Sequence, residues 1–209
     1  MSKKYKLTDK TISLNGATLY RIEALKDFGE IKKGDKGGFI ESENNLAHEG
    51  DAWVSDNAHV YGDACVFDNA CVYNNASVSG YAQVYGNARV YDDARVCDNS
   101  RVYGNSLVYG NARVSDNARV WGNVRVYGNT NVCGDAEIST GSDYIVFKNW
   151  WSSGMYFTWT RSNNMWSVGC FYGTGEELIK KAYKDSELSG REYERIVKYV
   201  EEIRKDNGK

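Results

Sequence analysis

From Ala52 to Ser139 the chain repeats one six-residue unit without insertion, of the form Ala-x-Val-aromatic-(Gly/Asp)-Asn, as in Ala88-Arg89-Val90-Tyr91-Asp92-Asp93. A six-residue phase kept through so many copies restricts the fold more tightly than composition does. Every sixth residue from Val54 to Val132 is Val, the next is Ile138, and two residues before each lies a residue that is nearly always small, such as Ala52, Ala88, Ser100 or Thr130. Spacing of i, i+2 marks one face of a strand. The two residues after the aromatic column are nearly all Gly, Asp or Asn, which accept left-handed backbone at low cost. Each unit therefore reads as a short strand and a corner.

A second period sets the size of a coil. The outward column after each Val becomes small at Ser79, Cys97, Ser115 and Cys133, a recurrence every third unit. Residues 18 apart should stack, giving a triangular solenoid of three hexapeptides per coil and about five coils, roughly 24 Å long at about 4.8 Å per coil. Its axis is filled by the Ala and Val columns, each buried Val contributing about 1.5–3 kcal/mol before chain entropy.

These repeats resemble the bacterial hexapeptide-repeat proteins, and the resemblance implies a mainly β, single-stranded left-handed parallel β-helix. Handedness comes from that resemblance alone. Three flanking segments are similar to a narrower phage and prophage branch often labelled as transferases: Phe28 to Glu43, Asn45 to Asp51, and Gly169-Cys170-Phe171-Tyr172-Gly173-Thr174. That branch carries no common activity to transfer.

Outside the repeats the chain reads as caps, so the expected organisation is an N-terminal cap over 1–45, the β-helix over 46–140 and an α+β cap over 141–209. Tyr5 to Leu14 and Ala17 to Leu25 flank Asn15-Gly16, a hairpin turn signal, and Gly34, Gly37 and Gly38 suggest a tight loop into the first coil. After Ser139 three strands are expected over Asp143–Trp151, Met155–Arg161 and Met165–Phe171 as a small meander. Two helices should follow, begun by capping boxes at Thr174/Glu177 and Ser189/Glu192. Four of the tryptophans, Trp150, Trp151, Trp159 and Trp166, belong to this meander.

Composition narrows the partners. The net charge is −2, and residues 46–140 hold six Arg and no Lys against eleven acids, a surface unsuited to duplex DNA. No apolar run approaches a membrane span, and the start lacks the apolar core of a signal peptide, so a cytoplasmic protein of a bacterial host is expected. Five cysteines are expected as free thiols, because Cys97 and Cys133 would lie two coils, about 9.6 Å, apart.

Folding the columns by 18 gives three unlike faces. The first places Arg89 and Arg125 beside Tyr73, Tyr91, Tyr109 and Tyr127; the third places Arg101 and Arg119 beside Phe67, Tyr85, Tyr103 and Trp121. Such ladders suit a planar anionic ligand of nucleotide type or an acid-rich host protein, Arg forking the acid while the rings supply stacking area. The second face, with Arg95 and Arg113 beside the small Ser79, Cys97, Ser115 and Cys133, is flat and invites self-association, a trimer being favoured by the resemblance.

Catalysis has less support. Hexapeptide acyltransferases use a His base, often near a loop extruded from the coils; this chain has only His48 and His59, and no loop interrupts 52–139. His59 is the weak candidate base of the alternative, CoA-dependent acyltransferase reading. The zinc enzymes of the fold need three His, so neither a metal nor a cofactor is expected. The leading expectation is a non-enzymatic, phage- or prophage-encoded binding protein, acting as a counter-defence inhibitor or as a sponge for a nucleotide signal.

Overall fold

The computed structural model describes residues 3–206. The chain divides into two compact units, Met1–Asp143 and Tyr144–Lys209. The first is a β-solenoid of about six turns, built from β1 (Tyr5–Leu14), β2 (Ala17–Ala24), β3 (Lys36–Ile40) and fifteen two-residue strands from β4 (Trp53–Val54) to β18 (Glu137–Ile138).

Among β4 to β18 strand partners differ by 18 throughout, as in Arg89↔Cys71 and Arg89↔Leu107, and all are parallel. Each coil donates to the next across this spacing, for instance Trp53 N–H to Ala70 O at 3.0 Å and Ser55 N–H to Val72 O at 2.9 Å. Every Val of the column, and Ile138, is fully buried. The alternation is clean because each strand contributes one inward Val flanked by outward residues, and the small column two residues earlier fills the remaining axial space.

The corners do more than turn. From Asp56 to Gly134 the first corner residue has φ between 55° and 75°, and where it is not Gly it is Asp or Asn. The carboxylates also accept an amide from the next coil: Asp56 Oδ2 from Asn74 N–H at 3.1 Å, Asp68 Oδ2 from Gly86 N–H at 3.1 Å. In the second corner position Asn69, Asn87, Asn105 and Asn123 form an amide ladder at 3.0–3.2 Å. Glycine could supply the turn but neither of these bonds.

Gly37 and Gly38 lie in a strand, not in the expected loop. β3 adds in parallel to His59–Val60, and a Cβ on Gly37 or Gly38 would meet the Val54 or Ala58 carbonyl at 2.6 Å. These glycines allow a preceding strand to pack against the first full coil. β1 and β2 then extend the same sheet as the expected hairpin, turning at Asn15 and Gly16 with φ of 51° and 87°.

The opening edge of the solenoid has carbonyls without a full preceding coil, and three different donors cover them. Phe39 N–H bonds Ala58 O at 2.9 Å, Asn45 Nδ2 bonds Ala64 O at 2.8 Å, and Lys4 Nζ bonds Ala52 O at 2.8 Å and Gly50 O at 3.3 Å. Lys4 is fully buried, its ammonium lying 5.0 Å from the centre of the Phe28 ring. At the closing edge Asp143 Oδ2 accepts from Ser139 N–H and Thr140 N–H at 2.8 and 2.7 Å.

The second unit holds a four-stranded antiparallel sheet, Tyr144–Lys148, Tyr156–Thr160, Met165–Val168 and Phe171–Gly173, followed by α1 (Gly175–Asp185) and α2 (Glu187–Asp206). The fourth short strand extends the expected meander of three. Phe157, Trp159, Trp166, Leu178, Tyr193 and Val197 form its core, Trp151 packs partly buried against it, and Trp150 is 74% exposed. Thr174 and Glu177 make the capping box. The second box does not form: α2 begins at Glu187, and Ser186 Oγ, not Ser189, takes the capping role by accepting Ser189 N–H at 3.1 Å. Gly190 lies against the Tyr183 ring, where any side chain would hold the two helices apart.

Burial pushes the Lys4 ammonium down to about 8, against the pull of Asp51. Lys4→Met, which leaves its carbonyls unpaired, should cost about 2 kcal/mol in urea unfolding at pH 7. Because the folded state binds the Lys4 proton less tightly than the unfolded chain, wild-type stability relative to Lys4→Met should rise from about pH 8 to 10.5. Tyrosines titrate in both proteins and cancel in the comparison, so a flat difference across this window would refute the assignment.

Candidate functional site

The 18-residue register brings the sequence-predicted ladders together as continuous stacks. On the first face Tyr73, Tyr91, Tyr109 and Tyr127 stack with centroid spacings of 4.9, 4.9 and 5.4 Å. On the third, Phe67, Tyr85, Tyr103 and Trp121 stack at 4.8, 4.9 and 5.9 Å. Parallel pairing aligns equivalent Cα atoms, so equal rotamers on successive coils bring the rings into stacking distance. Burial, followed by the neighbouring phenol, raises Tyr73, Tyr85 and Tyr91 above the usual tyrosine range, so these three phenols are neutral at physiological pH.

The arginines have different surroundings. On the third face Arg101 lies opposite Arg119, which pairs with Glu137 at 3.3 Å. On the first face Leu107 separates Arg89 from Arg125. All are exposed. Arg89 also edges a cavity of about 280 Å³ at the start of the first face, whose apolar wall is Phe28, Ile31, Trp53 and Tyr73. Phe28 meets Trp53 edge-on at 5.3 Å. Its polar lining includes two carboxylates, Glu30 and Asp51, with Ser55, Asn69 and Cys71. Phe28, Ile31 and Trp53 were not among the sequence candidates, because only folding the Phe28–Ile31 turn onto the first coil closes this cavity.

The second face is not uniformly flat. Ser115 and Cys133 are buried and Ser79 and Cys97 half-buried. At its other end the β1–β2 hairpin tip reaches the coils, Asn15 Nδ2 donating to Tyr61 OH at 3.3 Å, and a cavity of about 510 Å³ opens there among His59, Asn75, Ser77, Arg95 and Arg113.

The two histidines have separate surroundings. His48 stacks on Tyr5 at 4.4 Å, its Nδ1 accepts Lys4 N–H at 3.2 Å, and its other ring nitrogen faces Glu43 at 3.6 Å, a structural placement in the N-terminal part. His59 stacks on Phe39 at 6.0 Å and opens into the second-face cavity, where burial lowers it below the usual histidine range and keeps it neutral at pH 7. Among the described residues no cluster of three His, Cys, Asp or Glu could hold a metal ion.

No disulfide joins any of the five cysteines. Burial raises Cys65 and Cys71, and burial together with the hydrogen bond to Asp98 pushes the Cys97 thiol up to about 11. A thiol so placed is a poor nucleophile at neutral pH even with Arg113 Nη2 at 3.5 Å.

Residues 82–98, 94–110, 108–120 and 112–128 match the family model described as YdcK Beta solenoid repeat. These matches lie in the central coils, and with the observed strand order they identify a repeat β-solenoid protein. No curated protein matches the chain. Among the described residues, no helix is long and apolar enough to cross a membrane.

Iodoacetamide labelling at pH 7.5, mapped by mass spectrometry, should modify exposed Cys170 at least about ten-fold faster than Cys97. Comparable rates would contradict the protonated Cys97 thiol.

Proposed function

We propose that the chain is a non-enzymatic binding protein whose first face takes a planar, anionic ligand of nucleotide type. The carrying observation is the Arg89 guanidinium at the edge of a cavity walled by Trp53, Phe28 and Tyr73, continuous with the stacked tyrosines above it. Rings of this kind supply sequence-tolerant stacking area, and a guanidinium forks a phosphate or carboxylate. The flanking segments similar to the phage branch support a role against a host signal or an acid-rich host defence protein. Left-handed coiling and trimer formation through the second face belong to the same proposal. Light scattering of a concentrated sample tests the latter, a uniform monomer counting against it.

Arg89→Ala should weaken nucleotide binding in calorimetry by about ten-fold, equivalent to about 1.4 kcal/mol, with little change in thermal midpoint. Binding that survives Arg89→Ala undiminished would move the site elsewhere. The acyltransferase reading has one observation in its favour, the neutral His59 opening into a cavity. Acetyl-CoA binding and turnover abolished by His59→Ala would establish it in place of the first reading.

A further inference from the structure

The second-face cavity combines shape, charge and hydrogen-bond donors in a way the solenoid architecture does not require. A triangular prism is convex. Here a concavity of about 510 Å³ arises because Ser77 and Ser79 leave a step between the rungs carrying His59 and Arg95, and because the hairpin tip at Leu14 and Asn15 stands over it as a wall. That volume is within the range of small-molecule sites.

Its charge is one-sided. Arg95 and Arg113 are direct strand partners, so the two outward side chains start one strand spacing, about 4.8 Å, apart. Like charges opposite one another on a sheet are destabilising. The third face relieves the same arrangement with Glu137, which pairs Arg119 at 3.3 Å. The second face has no equivalent. Among the described residues the Arg95 guanidinium makes no ion pair or hydrogen bond, Arg113 bonds only Cys97 Sγ, and no carboxylate lines the cavity. Two corner acids bonded to lining residues are engaged there, Asp98 by Cys97 Sγ–H and Asp116 N–H, and Asp93 by Asn75 Nδ2–H.

The floor adds neutral donors. The Ser77 and Ser79 hydroxyls make no hydrogen bond among the described residues, and both line the cavity with the ring of His59. Two guanidinium forks on adjacent rungs together with two hydroxyls exceed what the two oxygens of one carboxylate can accept. The three terminal oxygens of a phosphate monoester match the set.

We propose that this cavity is a phosphate-binding site, in which Arg95 and Arg113 fork the terminal phosphate of a small phosphorylated metabolite, Ser77 and Ser79 donate to it, and the hairpin tip flanks the rest of the molecule. The site is separate from the first-face cavity, but Arg95 and Arg113 also lie on the face proposed for trimer formation, so ligand and second copy would compete for them. Pyrophosphate is the discriminating probe, since it has no base to stack on the first-face aromatics.

Calorimetry on the full chain in a phosphate-free buffer, with pyrophosphate and citrate as separate titrants, tests the assignment. Pyrophosphate should bind saturably at one site per chain and more tightly than citrate. Arg95→Gln and Arg113→Gln should each weaken it at least ten-fold, while Lys184→Gln, on an exposed position of α1, leaves it unchanged. Both arginines are exposed and their like-charge pairing is unrelieved, so circular dichroism should stay at wild-type values and the thermal midpoint should not fall in these variants. The assignment is overturned if pyrophosphate gives no saturable heat, if both substitutions leave its affinity intact, or if citrate binds as well or better. It is also overturned if the double variant changes oligomeric mass and pyrophosphate does not bind, because the arginines would then serve acids of a second copy. Nucleotide binding measured in the double variant reads the first-face proposal alone, so either site can fail without the other.

Discussion

Pairing between residues 18 apart is the constraint on which the rest of the first unit depends. It aligns Val over Val along the axis, and the same register carries ring over ring on two faces and amide over amide at the corners. A shift of one hexapeptide would retain the Ala and Val columns but set Tyr73 opposite Cys97 in place of Tyr91. The outward ladders are therefore bound to the coil length of three units, whereas the core is bound only to the six-residue phase. Two nested periods specify two levels of structure.

The ends show what happens where that pairing runs out. An open coil edge exposes backbone groups that elsewhere bond to a neighbouring coil, and leaving such groups buried without partners costs far more than a bond contributes. The chain meets the opening edge with donors of three kinds, a backbone amide, the Asn45 side chain and the buried Lys4 ammonium, and the closing edge with the Asp143 carboxylate. The N-terminal segment thereby becomes part of one body with the repeats. Its hairpin extends the sheet beyond the first coil and reaches over the second face, and its Phe28–Ile31 turn closes the first-face cavity. Both cavities thus arise where non-repeating chain meets repeating chain. An uninterrupted solenoid offers flat ladders, and the segment before it supplies the walls.

The coils were legible because their signal is local: a Val every six residues and a small outward residue every eighteen need no knowledge of distant contacts. The first hairpin and the Thr174 cap were legible for the same reason. Gly37 and Gly38 were misread as a loop because a glycine pair signals a turn equally well as a close strand approach, and the Val54 and Ala58 carbonyls that decide between them lie elsewhere in the chain. The Asn ladders were hidden behind the turn preference of Asn, which already accounted for the residue. Ser189 lost its capping role to Ser186 because the helix starts two residues before it. At the candidate sites the Arg and Tyr rows could be assigned to faces from spacing, but the concavities could not, since they depend on where Asn15 and Phe28 come to rest.

Pyrene excimer fluorescence tests the 18-residue register directly. In a cysteine-free background, labels at Arg89→Cys and Leu107→Cys, both outward on the first face, should give strong excimer emission, while labels at Arg89→Cys and Arg95→Cys should give monomer emission only. Monomer emission from the 89/107 pair, or excimer from residues 6 or 24 apart, would contradict a coil of three hexapeptides and with it the placement of every face and cavity described above.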